Sequence, residues 1–387
     1  MKVAPFCRAL KAYPEVKHLL VHTGQHYDVR MSEQFFKELD IPNPDINLEI
    51  GSGTHAEQVG RTMMAFEKVL KAERPDWVVV LGDVNATCAC SITAKKEHIK
   101  CAHIEAGLRS RDLDMPEEIN RLVTDRLSDL LFTPDRLSNA NLKAEGVPDE
   151  KIKFVGNIMI DTLEREREKA AALDINEIIC DNLIDGKGLD GRVERVEGGE
   201  EEEKDCCFGK STCSTRLKDN SYVAMTMHRP SNVDQRETLV PAMRFFLDEV
   251  SREYPIVWAI HPRAQKMLKE FNLWDDVVSN PNMILVKPLG YHAMLRLNMG
   301  ARLFMTDSGG LQEECCVLGT PCLTMRWNTE RPVTLMENGG ASILVGNAVA
   351  KMREAYRSQI DAPRHAMRPE LWDGETAERI AKILVRG

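Results

Sequence analysis

No apolar run in the 387-residue sequence reaches the length needed to span a membrane. Positive charge is not in excess either: 51 Lys and Arg face 60 Asp and Glu, a formal net charge of −9. A nucleic-acid binder normally shows a basic balance or stripe, so that class is excluded as a first reading. A small phosphorylated ligand is still allowed, because it needs only a local cationic pocket. The start lacks the charged, apolar and small-residue regions of a signal peptide, so the cytoplasm is the expected location. The eleven cysteines show no paired C-x-x-C pattern. Cys180, Cys206, Cys207 and Cys213 lie in a polar stretch with no histidine among them, and no metal site is expected there. Cys88, Cys90, Cys101, Cys315, Cys316 and Cys322 sit in apolar segments and read as buried reduced thiols.

What is present is a soluble globular composition, 43% hydrophobic and 29% charged, on a chain long enough for two domains. Short apolar runs alternate with helical patterns. HLLVHTG (18–24), WVVVLGD (77–83), CAHIEAG (101–107), LLFTP (130–134) and IKFVGN (152–157) read as buried strands. Between the first two, Val59, Met63, Phe66 and Leu70 fall on one helical face. A second series follows at 222–228, 255–262, 283–288, 301–307, 320–326 and 341–346. Strands separated by helices imply parallel sheets with right-handed crossovers. The fold class expected is α/β, with two Rossmann-like doubly wound domains facing a cleft. The boundaries read as 1–157, 158–370 and a returning C-terminal helix in 371–387. About 178–219 is charged and glycine-rich, and reads as a flexible insertion.

Polar residues gather where these strands end, the edge at which doubly wound sheets bind ligands. In the first half they are Thr23 to His26, Gly82-Asp83 and His103 to Gly107. In the second they are His228-Arg229-Pro230, His261-Pro262-Arg263 and Asp307 to Gly310. The stretch FMTDSGGLQEE (304–314) is the most telling. Glycines after a strand let a backbone approach a ligand, and the helix N-terminus then offers free N–H groups to phosphate. Ser308, Gly309 and Gly310 fit that role. Glu314, one turn on, is placed to accept from ribose hydroxyls, whereas Glu313 reads as structural. Arg331 in MRWNTERP can add charge to the same phosphates. Asp83, Glu105 and Glu117 come from one edge of the first domain. Carboxylates sharing a cleft repel and separate their proton affinities, which yields an acid and a base near neutral pH. A capped helix with acids matched to its dipole is the bland alternative for each motif taken alone.

Taken together, the motifs TGQHYD, GTHAEQVGRTM, VVLGDVNAT, HIEAGLRS, MPEEINR, VGNIMIDTL, TMHRPSNVD, HPR, DSGGLQEE, LGTPCLTMR and NTERPVT resemble the non-hydrolysing UDP-N-acetylglucosamine 2-epimerases, in family order and over nearly the whole chain. The resemblance implies a fold like that of the GT-B glycosyltransferases. It implies interconversion of UDP-GlcNAc and UDP-ManNAc without NAD or metal, by elimination of UDP to 2-acetamidoglucal and re-addition with C2 inverted. It assigns acid–base work to Asp83, Glu105 and Glu117, diphosphate contact to His228, and the UDP cradle to Ser308, Gly309, Gly310, Glu314 and Arg331. Relatives are usually homodimers that supply ManNAc sugars for surface polysaccharides. Gln25, Gln58 and Arg61 fall in stretches tied to activation by UDP-GlcNAc at a second site. Rival readings are a UDP-sugar glycosyltransferase of the same fold, a hydrolysing epimerase, and an inactive UDP-sugar-binding protein. MKVAPFCRAL matches the family's first helix, so the opening strand and its arginine-bearing loop are expected upstream of Met1.

Overall fold

The computed structural model describes residues 1–24, 36–184 and 216–386. Every strand run read from the sequence contains a strand, and all the pairings between named strands are parallel. In the first half β1 (Val21–His22) pairs with β2 (Ile46–Asn47). A separate four-stranded sheet follows, formed by β3 (Trp77–Leu81), β4 (Lys100–Ile104), β5 (Leu130–Thr133) and β6 (Ile152–Phe154) in sequence order. In the second half lie β7 (Val223–Thr226), β8 (Ile256–Ala259), β9 (Met283–Val286), β10 (Leu303–Thr306), β11 (Cys322–Thr324) and β12 (Ser342–Leu344). Their order, β12-β11-β10-β7-β8-β9, reverses direction between β7 and β10. That reversal is the switch point at which a doubly wound sheet opens a crevice.

Helices cover both faces because the strands are buried on both. The longer ones are α1 (Val3–Leu10), α2 (His55–Glu73), α3 (Asn85–Lys96), α4 (Pro116–Leu127), α5 (Arg136–Ala144), α6 (Ile158–Ala171), α7 (Ile175–Asn182), α8 (Arg236–Phe245), α9 (Pro262–Glu270), α10 (Tyr291–Gly300), α11 (Gly309–Leu318), α12 (Val349–Gln359) and α13 (Thr376–Arg386). Thr54 and Glu57 close a capping box that fixes the start of α2, and Phe66 and Leu70 bury its inner face. No helix among the described residues is long and apolar enough to cross a membrane.

The chain returns to its first half at the end. In α13, Ala377, Ile380 and Ala381 join Phe6, Ala102, Ile104 and Phe132 in one apolar cluster. The amides of Thr376 and Ala377 donate to the Asp161 carboxylate at 3.2 and 2.7 Å, capping α13 from α6. Burial nevertheless pushes the Asp161 carboxyl up to about 6. Trp372, fully buried, donates from Nε1 to Pro134 O at 2.9 Å. Gly156 has φ +94°, and a Cβ there would stand 2.0 Å from Leu371 O, so only glycine lets the returning segment lie this close.

The first residues of the segment read as an insertion, about 178–219, are helical. Residues 178–182 belong to α7, whose Ile175, Ile178 and Ile179 are buried at helical spacing. Leu183 bridges to Val286. On the far side Leu217 is buried and exchanges hydrogen bonds with Asn176 at 2.8 and 3.2 Å. Positions 185–215 lie outside the described residues.

Candidate active site

Asp83 follows β3 through Gly82, which has φ +68°. Glu105 follows β4 and itself has φ +71°, a left-handed backbone that costs a non-glycine residue free energy and is tolerated where structure over-determines it. Glu117 opens α4 behind Pro116. The site's cations come from remote parts of the chain. Lys2 forms an ion pair with Glu105. Arg121, one turn after Glu117, donates from Nε to Asp83 Oδ2 at 3.1 Å and pairs through Nη1 with Glu118. Burial alone would push the Asp83 carboxyl up; Lys2, Arg121 and Arg331 more than offset it and hold it below the ordinary value. Burial likewise disfavours the Lys2 ammonium, but Glu105 and Asp83 raise it above its ordinary value. Glu105 is 4% exposed, and its Oε1 has no hydrogen-bond partner among the described residues.

Glu118 does more than complement the helix dipole. Its carboxylate accepts from Ser110 N and Ser110 Oγ at 3.0 Å and from Arg111 N at 2.9 Å, so it fastens the loop between Glu105 and Glu117.

The second half supplies the opposite wall. Asp307 is fully buried and organises the ends of β7 and β10. Its Oδ2 accepts from His228 N (2.9 Å), Arg229 N (2.8 Å) and Asn232 Nδ2 (3.1 Å). Its Oδ1 lies 2.7 Å from His228 Nδ1, which aims the imidazole outward. Burial opposes the Asp307 charge, but His228 and the two amides hold the carboxyl below its ordinary value. His228 and His261 stand with ring centroids 5.7 Å apart. Burial, then the charge of His228, lowers the His261 imidazole.

Ser308 caps α11 without a side-chain cap bond, which leaves N–H groups at its N-terminus for a ligand. The two glycines differ. A Cβ on Gly309 would meet Arg331 Nη1 at 2.6 Å and Glu330 Oε1 at 2.8 Å. A Cβ on Gly310 would meet only Met159 Cε, at 3.7 Å, so that face is open. Arg331 packs against the cap, donates from Nε to Glu313 Oε1 at 2.7 Å and pairs with Glu330. Arg326 holds the other oxygen of Glu330 at 2.6 Å. Burial opposes the Arg331 charge, but Glu313 and Glu330, then Glu105 and Asp83, hold it above its ordinary value. Asn328 Nδ2 donates to Asp112 Oδ2 at 3.2 Å, so loops of the two halves meet beside the site.

Glu313 and Glu314 have different surroundings. Glu313 forms a buried ion pair with Arg331 and holds it beside the start of α11. Glu314 is turned inward to Tyr291 and Asn298, and burial pushes its carboxyl up to about 8. The sign of the consequence is fixed. Between the ordinary value of 4.5 and about 8 the folded protein keeps a proton that the unfolded chain loses, so stability falls as pH rises through that window. A Glu314→Gln variant should therefore gain on the parent in thermal midpoint as pH is raised from 5 to 8. Parallel midpoint curves would reject this environment for Glu314.

Of the residues tied to regulation, Gln25 lies outside the described residues. Gln58 Oε1 accepts from Asn85 Nδ2 at 2.8 Å, and Asn120 Nδ2 bridges Asn85 Oδ1 (3.3 Å) to the Asp83 carbonyl (2.9 Å). Arg61 donates to the Ser52 and Glu57 carbonyls. Lys2, Arg121 and Glu330 join the site without a motif that marks them, whereas Asp307 stands at the strand end where polar residues gather. Arg121 carried a usable signal, its spacing of four from Glu117 on a helix; Lys2 carried none, since its partner is 103 residues away.

The family profile described as UDP-N-acetylglucosamine 2-epimerase matches residues 8–187 and 195–385. A Methanocaldococcus jannaschii protein named UDP-N-acetylglucosamine 2-epimerase is 39% identical, with 100% of this chain and 96% of that protein covered. A Pseudomonas aeruginosa protein named UDP-2,3-diacetamido-2,3-dideoxy-D-glucuronate 2-epimerase is 32% identical, with coverage of 100% and 96%. The crystal structure of the M. jannaschii enzyme in complex with UDP-GlcNAc and UDP superposes with a TM-score of 0.84, covering 100% of this chain and 96% of that one at 39% identity. The Neisseria meningitidis UDP-GlcNAc 2-epimerase bound to UDP-GlcNAc gives a TM-score of 0.80 at 26% identity, with the same coverage.

Proposed function

Because the chain belongs to the UDP-N-acetylglucosamine 2-epimerase family, we propose that it inverts C2 of UDP-N-acetylglucosamine to give UDP-N-acetylmannosamine. The C2 proton is not next to a carbonyl, so direct enolisation is closed to this substrate. Elimination removes the C2 proton, forms the C1–C2 double bond and releases UDP from C1. Re-addition returns UDP to C1 and delivers a proton to the opposite face of C2. This needs acid–base groups around C2 and a preorganised cradle for the departing diphosphate.

Asp83, Glu105 and Glu117 share the proton transfers. Lys2 and Arg121 keep Glu105 and Asp83 in place and balance their charge. The N-terminus of α11 and Arg331 hold the diphosphate, and His228, aimed by Asp307, stabilises charge as UDP leaves. The observation that carries this reading is the gathering of Asp83 and Glu105 around Lys2 and Arg121 at one set of strand ends, in a fold whose second half offers the uncapped N-terminus of α11. A glycosyltransferase needs that space for an acceptor, so a carboxylate cluster at the sugar end favours inversion.

On this reading the protein works in the cytoplasm as a homodimer, needs neither NAD nor metal, and supplies ManNAc sugars for polysaccharides. Its domains are 1–157 and 158–370, with 371–387 packing back. Regulation by a second UDP-GlcNAc reaches Asp83 through Gln58, Asn85 and Asn120.

Incubation with UDP-GlcNAc alone in deuterium oxide, followed by NMR, tests the proposal. The expected result is appearance of UDP-ManNAc with deuterium at C2. Free ManNAc with UDP would indicate hydrolysis instead, and an unchanged substrate would leave a binding protein.

A further inference from the structure

His103 is a fully buried histidine that the reaction above does not use. It lies on β4, two residues before Glu105. Its Nε2 is 2.8 Å from the Gly82 carbonyl, immediately before Asp83. Its Nδ1 is 2.6 Å from Asp125 Oδ1. Asp125 lies on α4, one turn after Arg121 and two turns after Glu117. The second oxygen of Asp125 accepts from Gly107 N at 3.0 Å and pairs with Arg109 Nη1 at 2.7 Å. Arg109 in turn grips Glu145 through two bonds of 2.8 and 2.7 Å.

The donors and acceptors fix the ring's hydrogens. A carbonyl can only accept, so Nε2 carries a hydrogen. Asp125 is held ionised by partners other than the ring, since its second oxygen accepts from the Gly107 amide and meets the Arg109 guanidinium. The ionised carboxylate also only accepts, so Nδ1 carries a hydrogen as well. The ring is then an imidazolium paired with the buried Asp125, whose second oxygen meets the buried Arg109, and Arg109 reaches out to Glu145 at the surface, so the buried charges are each paired.

This row joins the three segments that carry the site's carboxylates. The Gly82 carbonyl belongs to the turn of Asp83, and the Gly107 amide to the turn of Glu105. Asp125 shares a helix with Glu117. We propose that His103, held as an imidazolium between Gly82 and Asp125, is the positioning residue that fixes the spacing of Asp83, Glu105 and Glu117.

The inference rests on the epimerase reading, and its test separates the two. Turnover of UDP-GlcNAc by the parent protein establishes the reading. Nitrogen-15 NMR of the parent then reports the ring independently of activity: hydrogens on both His103 nitrogens are expected at the assay pH, and a single protonated nitrogen overturns the proposal. His103→Gln should lower kcat by about 10- to 100-fold, the scale of a misplaced catalytic group. KM and the UDP dissociation constant should stay within about 2-fold, because the cradle lies on the other wall. An unchanged kcat, or a loss of UDP affinity equal to the loss of kcat, also overturns it. If His103→Gln does not fold, the parent's NMR signature still decides.

Discussion

Glu105→Gln is expected to slow inversion at C2 by about 100-fold or more, the scale of a lost acid–base group, while UDP still binds. Glu105 is buried beside Lys2, and one of its carboxylate oxygens has no hydrogen-bond partner among the described residues. A buried acceptor left open is placed to act on a ligand. Its left-handed backbone is a further expense that a structural glutamate at a strand end does not need. Asp83→Asn and Glu117→Gln should cause losses of similar size, read as initial rates at saturating UDP-GlcNAc. Near-parental rates in all three variants would end the carboxylate mechanism. Loss of UDP binding in step with rate would instead assign these residues to the cradle.

Arg331→Met should abolish measurable UDP binding and also destabilise the fold. Arg331 is the buried cation between Glu313 and Glu330, and it lies against the glycine at the start of α11. Removing one partner of a buried ion pair costs about 3–5 kcal/mol, because the remaining charge is left uncompensated. Stability and binding can be separated. Adding Glu313→Gln and Glu330→Gln to Arg331→Met removes the orphaned charges and should recover most of the thermal midpoint. It should not recover UDP affinity in calorimetry, since the phosphates still lack their cation. UDP affinity close to the parental value in the triple variant would mean that Arg331 serves only the packing of its loop.

The strands were legible because both sheets are parallel and buried on both faces, which turns each strand into an apolar run with its polar residues at the carboxyl end. β2 was missed because two residues give no periodicity to read. The start of the insertion was misjudged because INEIICDN mixes acids with its buried isoleucines, and the polar segment after it dominated the composition. Within the candidate site, Asp83, Glu105, Ser308 and the glycines stand out at strand ends, and Glu117 at a helix start behind proline. Lys2 does not, because its partner is 103 residues away. Glu330 lies beside its arginine partners in the chain, but nothing in that spacing tells a buried ion pair from a surface one. Glu313 and Glu314 show the limit most directly. Adjacent residues on a helix point about 100° apart, and only the neighbours decide which one pairs with Arg331 and which is buried beside Tyr291.

The return of α13 to the first sheet has a consequence for synthesis. Chains are made from the N-terminus, and domains commonly fold as each is completed. Here the apolar cluster of Phe6, Ala102, Ile104 and Phe132 needs Ala377, Ile380 and Ala381 to close. That cluster around the first sheet therefore stays incomplete while the ribosome is still making residues 377–381. Residues 223–345 can settle into their own six-stranded sheet first. The earlier half waits with a greasy face uncovered until residue 381 has left the exit tunnel. During that interval the nascent chain is at its most exposed to aggregation, and to the chaperones that prevent it.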